Sequence, residues 1–142
     1  MAALSLREKI GQLLMVGFRG ATPPECDLIV RDIREHAIGG VILFDVDMTT
    51  TIDSGQPGRR NIESPAQVRT LLAHLQAQSS IPLLTAIDHE GGRVNRLKPV
   101  YGFPPSISHE ELGQLDQPAE PYRHAAATAQ TLADVGLNLN LA

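Results

Sequence analysis

IPLLTAIDHEGGRVNRL, residues 81–97, is the stretch of sequence that decides the fold. Its first part, Pro82 to Ile87, is a short and mainly apolar run, which is typical of a strand buried on both faces of a parallel sheet. Asp88 follows directly, and Gly91 with Gly92 marks a loop where the backbone passes close to its neighbours without side-chain obstruction. The stretch therefore predicts a buried strand that leads into a carboxylate and a glycine-rich loop.

Strands and helices alternate along the rest of the chain. Apolar runs predict three further strands, at Leu14–Phe18, Val41–Phe44 and Leu137–Leu141. Helices are predicted from Ser5 onward, over Glu25–His36, from Ser64 to about Ser79, and from about Pro118 to Asp134. Such alternation is typical of parallel β/α units, whose right-handed crossovers place the helices outside the sheet.

The predicted helices have start signals and apolar faces. Ser5 and Glu8 have the spacing of a capping box, and Pro65 occupies the first helical position after Ser64. The apolar faces predicted for the first three helices consist of Leu6, Ile10, Leu13 and Leu14; of Leu28, Ile29, Ile33 and Ala37; and of Val68, Leu71, Leu72 and Leu75.

Two segments have no periodic apolar pattern. Asp45 to Glu63 is polar and contains several turn-forming residues, so it is predicted to be a long irregular loop, which in a compact domain is more often functional or mobile than structural. A second loop is expected after residue 97, around Gly102, Pro104 and Pro105.

Charge and composition exclude several classes of partner. The formal net charge is −4 and no basic run is present, so nucleic acid is not expected as a partner. The apolar runs are shorter than the roughly 18 residues of a membrane helix, and the first residues lack the features of a secretory signal, so we expect no membrane association and a cytoplasmic location. The single cysteine, Cys26, has no nearby base and is expected to be structural.

Asp88 is the main candidate for ligand binding. In parallel β/α proteins the ligand binds at the carboxyl ends of the strands, and a carboxylate there accepts hydrogen bonds from two sugar hydroxyls. Arg93 and Arg96 add positive charge nearby. The alternative is that Asp88 and Glu90 cap the turn, the glycines supply positive φ angles, and the arginines pair with the acids. The residues alone leave both interpretations open.

Other chemistry is less compatible with this loop. Asp88 and Glu90 are alternate residues of an extended segment and face opposite ways, which disfavours a catalytic carboxylate pair. The five histidines have no metal-binding spacing, and both common phosphate-loop motifs are absent, so we expect neither a metal nor a cofactor. Among the histidines, only His89 lies beside the motif and is a possible ligand contact.

Four segments together resemble a known family. LSLREKIGQLLMVGF, GGVILF, IPLLTAIDHEGGRVNRL and LADVGLNLNLA are similar, in this order and spacing, to the opening of glycoside hydrolase family 3, especially its bacterial β-N-acetylhexosaminidase branch. The resemblance covers essentially the whole chain, and its D-x-E-G-G-R-V-x-R-L pattern is highly specific.

The resemblance implies both a fold and an activity. It implies that residues 1–142 are one partial domain, the N-terminal half of a (β/α)8 barrel with about four parallel strands and intervening helices. It also implies configuration-retaining hydrolysis of terminal β-linked N-acetylglucosamine, with Asp88 and Arg96 binding the sugar and Glu90 to Val94 shaping the loop. His89, Glu90 and Arg93 are possible further contacts. The family's Lys-His pair, histidine acid/base and aspartate nucleophile are expected beyond Ala142, so we expect no catalytic residue within these residues.

Several expectations follow for the isolated chain. An apolar parallel strand at Leu137–Leu141 would lie uncovered at the sheet edge, so we expect a truncated barrel that associates with itself. The sequence contains no Trp, so Phe44, Tyr101 and Phe103 are the candidates for stacking on a sugar ring. A β-glucosidase of the same family, and a non-catalytic half-barrel that binds sugar or another chain, are the alternative functions.

Overall fold

A sheet of four parallel strands is the centre of the computed structural model, which describes residues 3–51 and 57–142. Along the chain the helices and strands are α1 (Leu6–Gly11), β1 (Met15–Gly17), α2 (Asp27–His36), β2 (Gly40–Leu43), β3 (Val46–Thr51), β4 (Pro57–Arg59), α3 (Pro65–Gln76), β5 (Leu84–Ile87), α4 (His109–Leu115), α5 (Ala119–Asp134) and β6 (Leu139–Asn140). Single 3-10 turns lie at Pro23–Glu25 and Pro99–Tyr101.

The main sheet has the strand order β1-β2-β5-β6. All three strand pairs are parallel, and their register aligns Val16 with Val41, Val41 with Thr85, and Ala86 with Leu139. Each new strand therefore joins the same growing edge, after at least one helix has connected it to the previous strand. This arrangement confirms the predicted α/β class with about four parallel strands.

Helix α3 provides one side of the core in the way its sequence predicts. Ser64 accepts a hydrogen bond from the backbone N–H of Gln67, and Pro65 is the first helical residue. All four residues of the predicted stripe are buried against the strands: Val68, Leu71, Leu72 and Leu75. Each such side chain contributes about 1.5–3 kcal/mol when it is fully buried, so this helix is a main stabilising element.

Helix α1 has the predicted capping box between Ser5 and Glu8, but its apolar face is not buried. The leucines and isoleucine of that face are exposed, and Leu13 reaches 84% exposure. Helix α1 approaches α2 through Gly11, where an added Cβ would lie 1.9 Å from the carbonyl oxygen of His36. The apolar face predicted from Leu6 to Leu14 is therefore exposed in the described part of the chain.

Helix α2 also differs from its predicted face. Ile29 and Ile33 are buried as expected, whereas Leu28 is exposed. Cys26, which precedes the helix, is buried in its place and takes part in the same apolar cluster. Burial raises the pKa of the Cys26 thiol to about 11, which agrees with a structural cysteine.

The irregular loop predicted for Asp45 to Glu63 is wrong for residues 46–51 and 57–59, which form two strands. Strands β3 and β4 form an antiparallel ladder in which Val46 is paired with Arg59 and Asp47 with Gly58. Residues 52–56 lie outside the described part of the chain. The sequence does not predict this hairpin, because β3 is stabilised by polar contacts rather than by alternating apolar residues.

The region after the glycine-rich loop contains a helix that the sequence pattern does not reveal. Helix α4 begins after Ser108, whose side chain forms a capping box with Glu111, and none of its residues is buried. A helix without a buried stripe has no apolar periodicity to detect. Helix α5 is the longest described helix, with 16 residues, and no described helix is both long and apolar enough to cross a membrane.

Candidate active site

The carboxyl ends of β2 and β5 lie side by side, because Leu43 is aligned with Ile87 in the parallel register. Asp88 is the first residue after β5, and Asp45 is the second residue after β2. Two carboxylates from neighbouring strands therefore meet at one edge of the sheet, and Arg96 contacts both of them. In parallel β/α proteins this edge is the one at which ligands bind.

Arg96 and Asp88 form a bidentate ion pair. The Arg96 Nε donates to Asp88 Oδ1 at 2.8 Å, and Nη2 donates to Oδ2 at 2.7 Å. The Arg96 hydrogen bonds hold the pKa of the Asp88 carboxyl below its usual range, and partial burial opposes this effect. Asp88 is therefore ionised at neutral pH and has a fixed orientation.

Asp45 is the second carboxylate of the site, and its side chain is only 1% exposed. Arg96 Nη1 lies 3.3 Å from Asp45 Oδ1, and the Lys98 ammonium group forms an ion pair with Oδ2. The sequence prediction missed Asp45 because it was assigned to an irregular loop. A signal was present, since this aspartate follows a buried strand in the same way as Asp88 does.

Phe44 lies beneath two guanidinium groups. The Cζ atom of Arg60 is 4.7 Å from the centre of the Phe44 ring, and that of Arg96 is 5.6 Å from it. These distances allow cation–π attraction, which occupies ring surface that was expected to be available for a sugar. Phe103 is buried in the core and is not an exposed stacking surface, and Tyr101 packs against the same core.

The glycine-rich loop makes a tight turn. Gly91 and Gly92 have φ angles of 74° and 57°, and the N–H of Glu90 donates to the carbonyl of Val94 at 2.8 Å. A Cβ added to Gly91 would lie 2.1 Å from the carbonyl oxygen of Ile107. These glycines are therefore required by the turn and by a neighbouring backbone segment, as one of the two sequence interpretations expected.

Glu90 and Arg93, two of the possible contacts, have exposed side chains. Among residues 3–51 and 57–142, neither forms an ion pair, so pairing of arginines with acids is observed for Arg96 and not for Arg93. Glu90 borders a groove of about 420 Å³ between the loop and helices α4 and α5. The structure thus brings Asp88 and Arg96 together and leaves Glu90 and Arg93 at the surface.

His89 is buried and fixes the direction in which the chain leaves β5. Its backbone N–H donates to Asn140 Oδ1 and its carbonyl accepts from Asn140 Nδ2, both at 3.0 Å. The ring Nδ1 accepts from the N–H of Leu97 at 3.4 Å, and the ring borders a cavity lined by Thr128 and Thr131 of α5. Burial lowers the pKa of His89, so the ring is neutral at pH 7.

The side chains of two asparagines, buried Asn61 and exposed Asn138, bond to the backbone beside the strands. Asn61 accepts from the N–H of Phe44 and donates to the carbonyls of Phe18 and Gly20, which joins the exits of β1 and β2. Asn138 accepts from the N–H of Thr85 in β5 and donates to the carbonyl of Leu83, which precedes β5. The sequence does not predict these roles, because an asparagine in a sequence does not indicate its hydrogen-bond partner.

The hairpin of β3 and β4 is tied to the exit of β1. Arg19, which follows β1, forms an ion pair with Asp47, and its Nη2 donates to Thr49 Oγ1 at 2.6 Å. Hydrogen bonds from Arg19 and then from Thr49 hold the pKa of the Asp47 carboxyl well below its usual range. The hairpin is thus fixed at the same edge of the sheet as Asp45 and Asp88.

The arrangement is suited to binding polar groups. The Asp88 side chain is 26% exposed, so its ionised oxygens accept hydrogen bonds from hydroxyl groups while Arg96 fixes their position. The described residues include no cluster of three or more His, Cys, Asp or Glu side chains that would hold a metal ion.

Comparison with known proteins identifies the family. Residues 5–142 match the family model described as Glycosyl hydrolase family 3 N terminal domain. The chain belongs to this family. A β-hexosaminidase of Nitrosomonas eutropha is 40% identical over 102 residues, which are 72% of this family 3 chain and 24% of that protein.

Two solved structures have the same fold as this chain. A β-N-acetylglucosaminidase from Paenibacillus sp. str. FPU-7 aligns with 99% of this chain and 24% of its own chain, with a TM-score of 0.84 and 34% identity. A β-N-acetylhexosaminidase from Beutenbergia cavernae aligns with 100% of this chain and 38% of its own, with a TM-score of 0.71 and 31% identity. The predicted fold class and the family resemblance are both confirmed, and the chain spans about a quarter of the curated relative's length.

Proposed function

We propose that this chain supplies part of the sugar-binding site of a glycoside hydrolase that removes terminal β-linked N-acetylglucosamine with retention of configuration. The observation that carries the proposal is the Asp88 carboxylate, which is ionised, partly exposed and held bidentately by Arg96 at the ligand-binding edge of the sheet. Membership of family 3, together with relatives that are β-N-acetylglucosaminidases, supports the reaction class.

Asp88 acts in this proposal as an anchor for sugar hydroxyls. An ionised carboxylate accepts two hydroxyl hydrogen bonds in fixed geometry, and bonds to a charged acceptor are stronger than those between neutral groups. Arg96 uses Nε and Nη2 to hold the carboxylate, which removes the need to order it when the sugar binds.

The bond-breaking groups are proposed to belong to the remainder of a longer enzyme. Retaining hydrolysis requires one group that protonates the leaving oxygen and a second that attacks the anomeric carbon. Asp88 is engaged with Arg96 and Asp45 is buried, so neither is placed for these roles. We therefore predict that the purified 142-residue chain does not hydrolyse a chromogenic N-acetylglucosaminide above background. Turnover that persists after removal of host glycosidases would contradict this division of roles.

Asp88→Ala in the full-length enzyme is the direct test of the anchor. We expect kcat/KM to fall by roughly 30- to 1,000-fold, because charged hydrogen bonds to the sugar are lost. Glu35→Ala is the matched control, since Glu35 is an exposed carboxylate on α2. Both variants are assayed with their thermal midpoints. Near wild-type kcat/KM for Asp88→Ala, or a loss explained by melting, would show that the carboxylate only caps the turn.

The substrate branch is tested by comparing two substrates. Hydrolysis of the N-acetylglucosaminide in preference to the matching glucoside supports the proposal, and the reverse preference supports a β-glucosidase. Cell-wall fragments as the natural source of the sugar and a cytoplasmic location remain predictions, which product analysis and cell fractionation test. Sugar binding without hydrolysis by the longest natural form of the protein would favour the non-catalytic half-barrel.

Self-association of the isolated chain is a further proposal. Among the described residues, β1 and β6 each pair with one neighbouring strand and have a second edge without a partner. Unpaired edges of parallel strands promote association. Light scattering of the purified chain should therefore detect oligomers, and a monodisperse monomer would contradict the proposal.

A further inference from the structure

Arg96 is restrained from three directions. Asp88 binds the side of the guanidinium group that carries Nε and Nη2, and Asp45 lies beside Nη1 at 3.3 Å. The guanidinium group also lies over the ring of Phe44, whose centre is 5.6 Å from Cζ. The two carboxylates and the ring together restrict the orientation of the group.

Asp45 differs from Asp88 in its access to a ligand. Its side chain is 1% exposed, and each of its oxygens faces a cation, Arg96 on one side and Lys98 on the other. A ligand that bonds to Asp88 does not reach this carboxylate. Any influence of Asp45 on a bound sugar must therefore pass through the cations that it holds.

We propose that Asp45 is a positioning residue for the sugar subsite: it fixes Arg96, which in turn fixes the Asp88 carboxylate. The inference rests on the proposed function of Asp88. Asp45 belongs to the exit of β2 and Asp88 to the exit of β5, so the pair of strands sets the position of the carboxylate jointly. Removing the charge of Asp45 frees the Nη1 end of Arg96 and loosens the bidentate contact.

Asp45→Asn in the full-length enzyme is the principal test, because the amide is similar in size to the carboxylate and keeps one acceptor oxygen. We expect KM for a chromogenic N-acetylglucosaminide to rise about 10- to 100-fold, as misplacement of a binding group does, with kcat changed less. A variant with unchanged KM and an intact fold would overturn the proposal.

A double-substitution cycle separates positioning from a structural role. Arg96→Met removes the group through which Asp45 is proposed to act, so adding Asp45→Asn to it should produce no further rise in KM. If the two effects multiply instead, Asp45 acts independently of Arg96 and the proposal is wrong. Lys98→Met is the matched control, since it removes the other cation and leaves the contact between Asp45 and Arg96.

NMR of the unsubstituted protein tests the same idea if Asp45→Asn does not fold. The Nη protons of Arg96 should give separate, slowly averaging signals because both ends of the group are bonded. A single averaged signal would overturn the proposal. Failure of the proposed function has a different result, namely that Asp88→Ala and Arg96→Met themselves leave KM and kcat unchanged.

Discussion

An aspartate follows each of the strands β2 and β5 at the same edge of the sheet, but the two side chains differ in their exposure to solvent. Asp45 is enclosed by Arg96 and Lys98, whereas Asp88 binds Arg96 and keeps 26% of its side-chain surface exposed. After β5 the chain turns away through two glycines with positive φ, and after β2 it continues into the hairpin. The comparison teaches that the path of the chain beyond a strand end decides whether a carboxylate there stays accessible to solvent.

The largest expected difference between the two exits is in stability. Asp45→Ala leaves Arg96 and Lys98 without their shared carboxylate, and we expect it to lower the free energy of unfolding by about 2–4 kcal/mol, toward the range seen when a buried ion pair is broken. Asp88→Ala should cost about 1–2 kcal/mol, because the Asp88 side chain is partly exposed and water replaces part of the lost contact. Urea unfolding of both variants measures this difference. Equal losses of unfolding free energy in the two variants would contradict the distinction between an enclosed and an accessible carboxylate.

Acid unfolding tests the contribution of Asp88 to stability, and the expected effect is smaller. Because Arg96 holds the folded-state pKa of Asp88 below its usual range, this carboxylate stabilises the fold above its ordinary value of about 3.9. That contribution is lost as the pH falls through the lowered pKa. The advantage of the wild type over Asp88→Asn should therefore be constant above about pH 5 and disappear in stronger acid. Thermal midpoints between pH 2 and 6 test this, and an advantage that grows on acidification would contradict it.

The smallest effect concerns His89, the buried neighbour of Asp88. Burial lowers its folded-state pKa, so only the unfolded chain takes up a proton near pH 6.5, and stability should fall as the pH drops below that value. His89→Asn keeps an acceptor for the Leu97 N–H and removes the titration. Its thermal midpoint should depend less on pH between 7 and 5 than that of the wild type. His109→Asn, at an exposed residue of α4, is the matched control substitution.

Sequence reasoning succeeded where a pattern records burial directly. The stripe of α3 predicted its buried face because four apolar residues recur at helical spacing, and the apolar run before Asp88 predicted β5. For α1, whose pattern is equally apolar, the face is exposed, and the helix approaches α2 through Gly11 instead. A sequence gives the residues on a helix face, but it does not give the element that packs against that face.

The candidate site was predictable in part for a related reason. Asp88 and Arg96 belong to one continuous motif, so the local sequence and the family resemblance both identify them. Asp45 comes from another strand, 51 residues before Arg96, and its role depends on the parallel alignment of β2 with β5. Contacts that depend on strand pairing leave no pattern in the local sequence. The hairpin of β3 and β4 was missed for the same reason, because Asp47 of β3 forms an ion pair with Arg19, which follows β1.

The amide of Asn140 imitates a peptide group. Its Oδ1 accepts a hydrogen bond from the N–H of His89, and its Nδ2 donates one to the carbonyl of the same residue. These two bonds add one side-chain rung to the hydrogen-bond ladder between β5 and β6. A carboxylate in its place would meet the His89 carbonyl with no hydrogen to offer, so Asn140→Asp would remove half of that rung. The direction of the glycine-rich loop that follows β5 is consequently set in part by a residue 51 positions further along the chain.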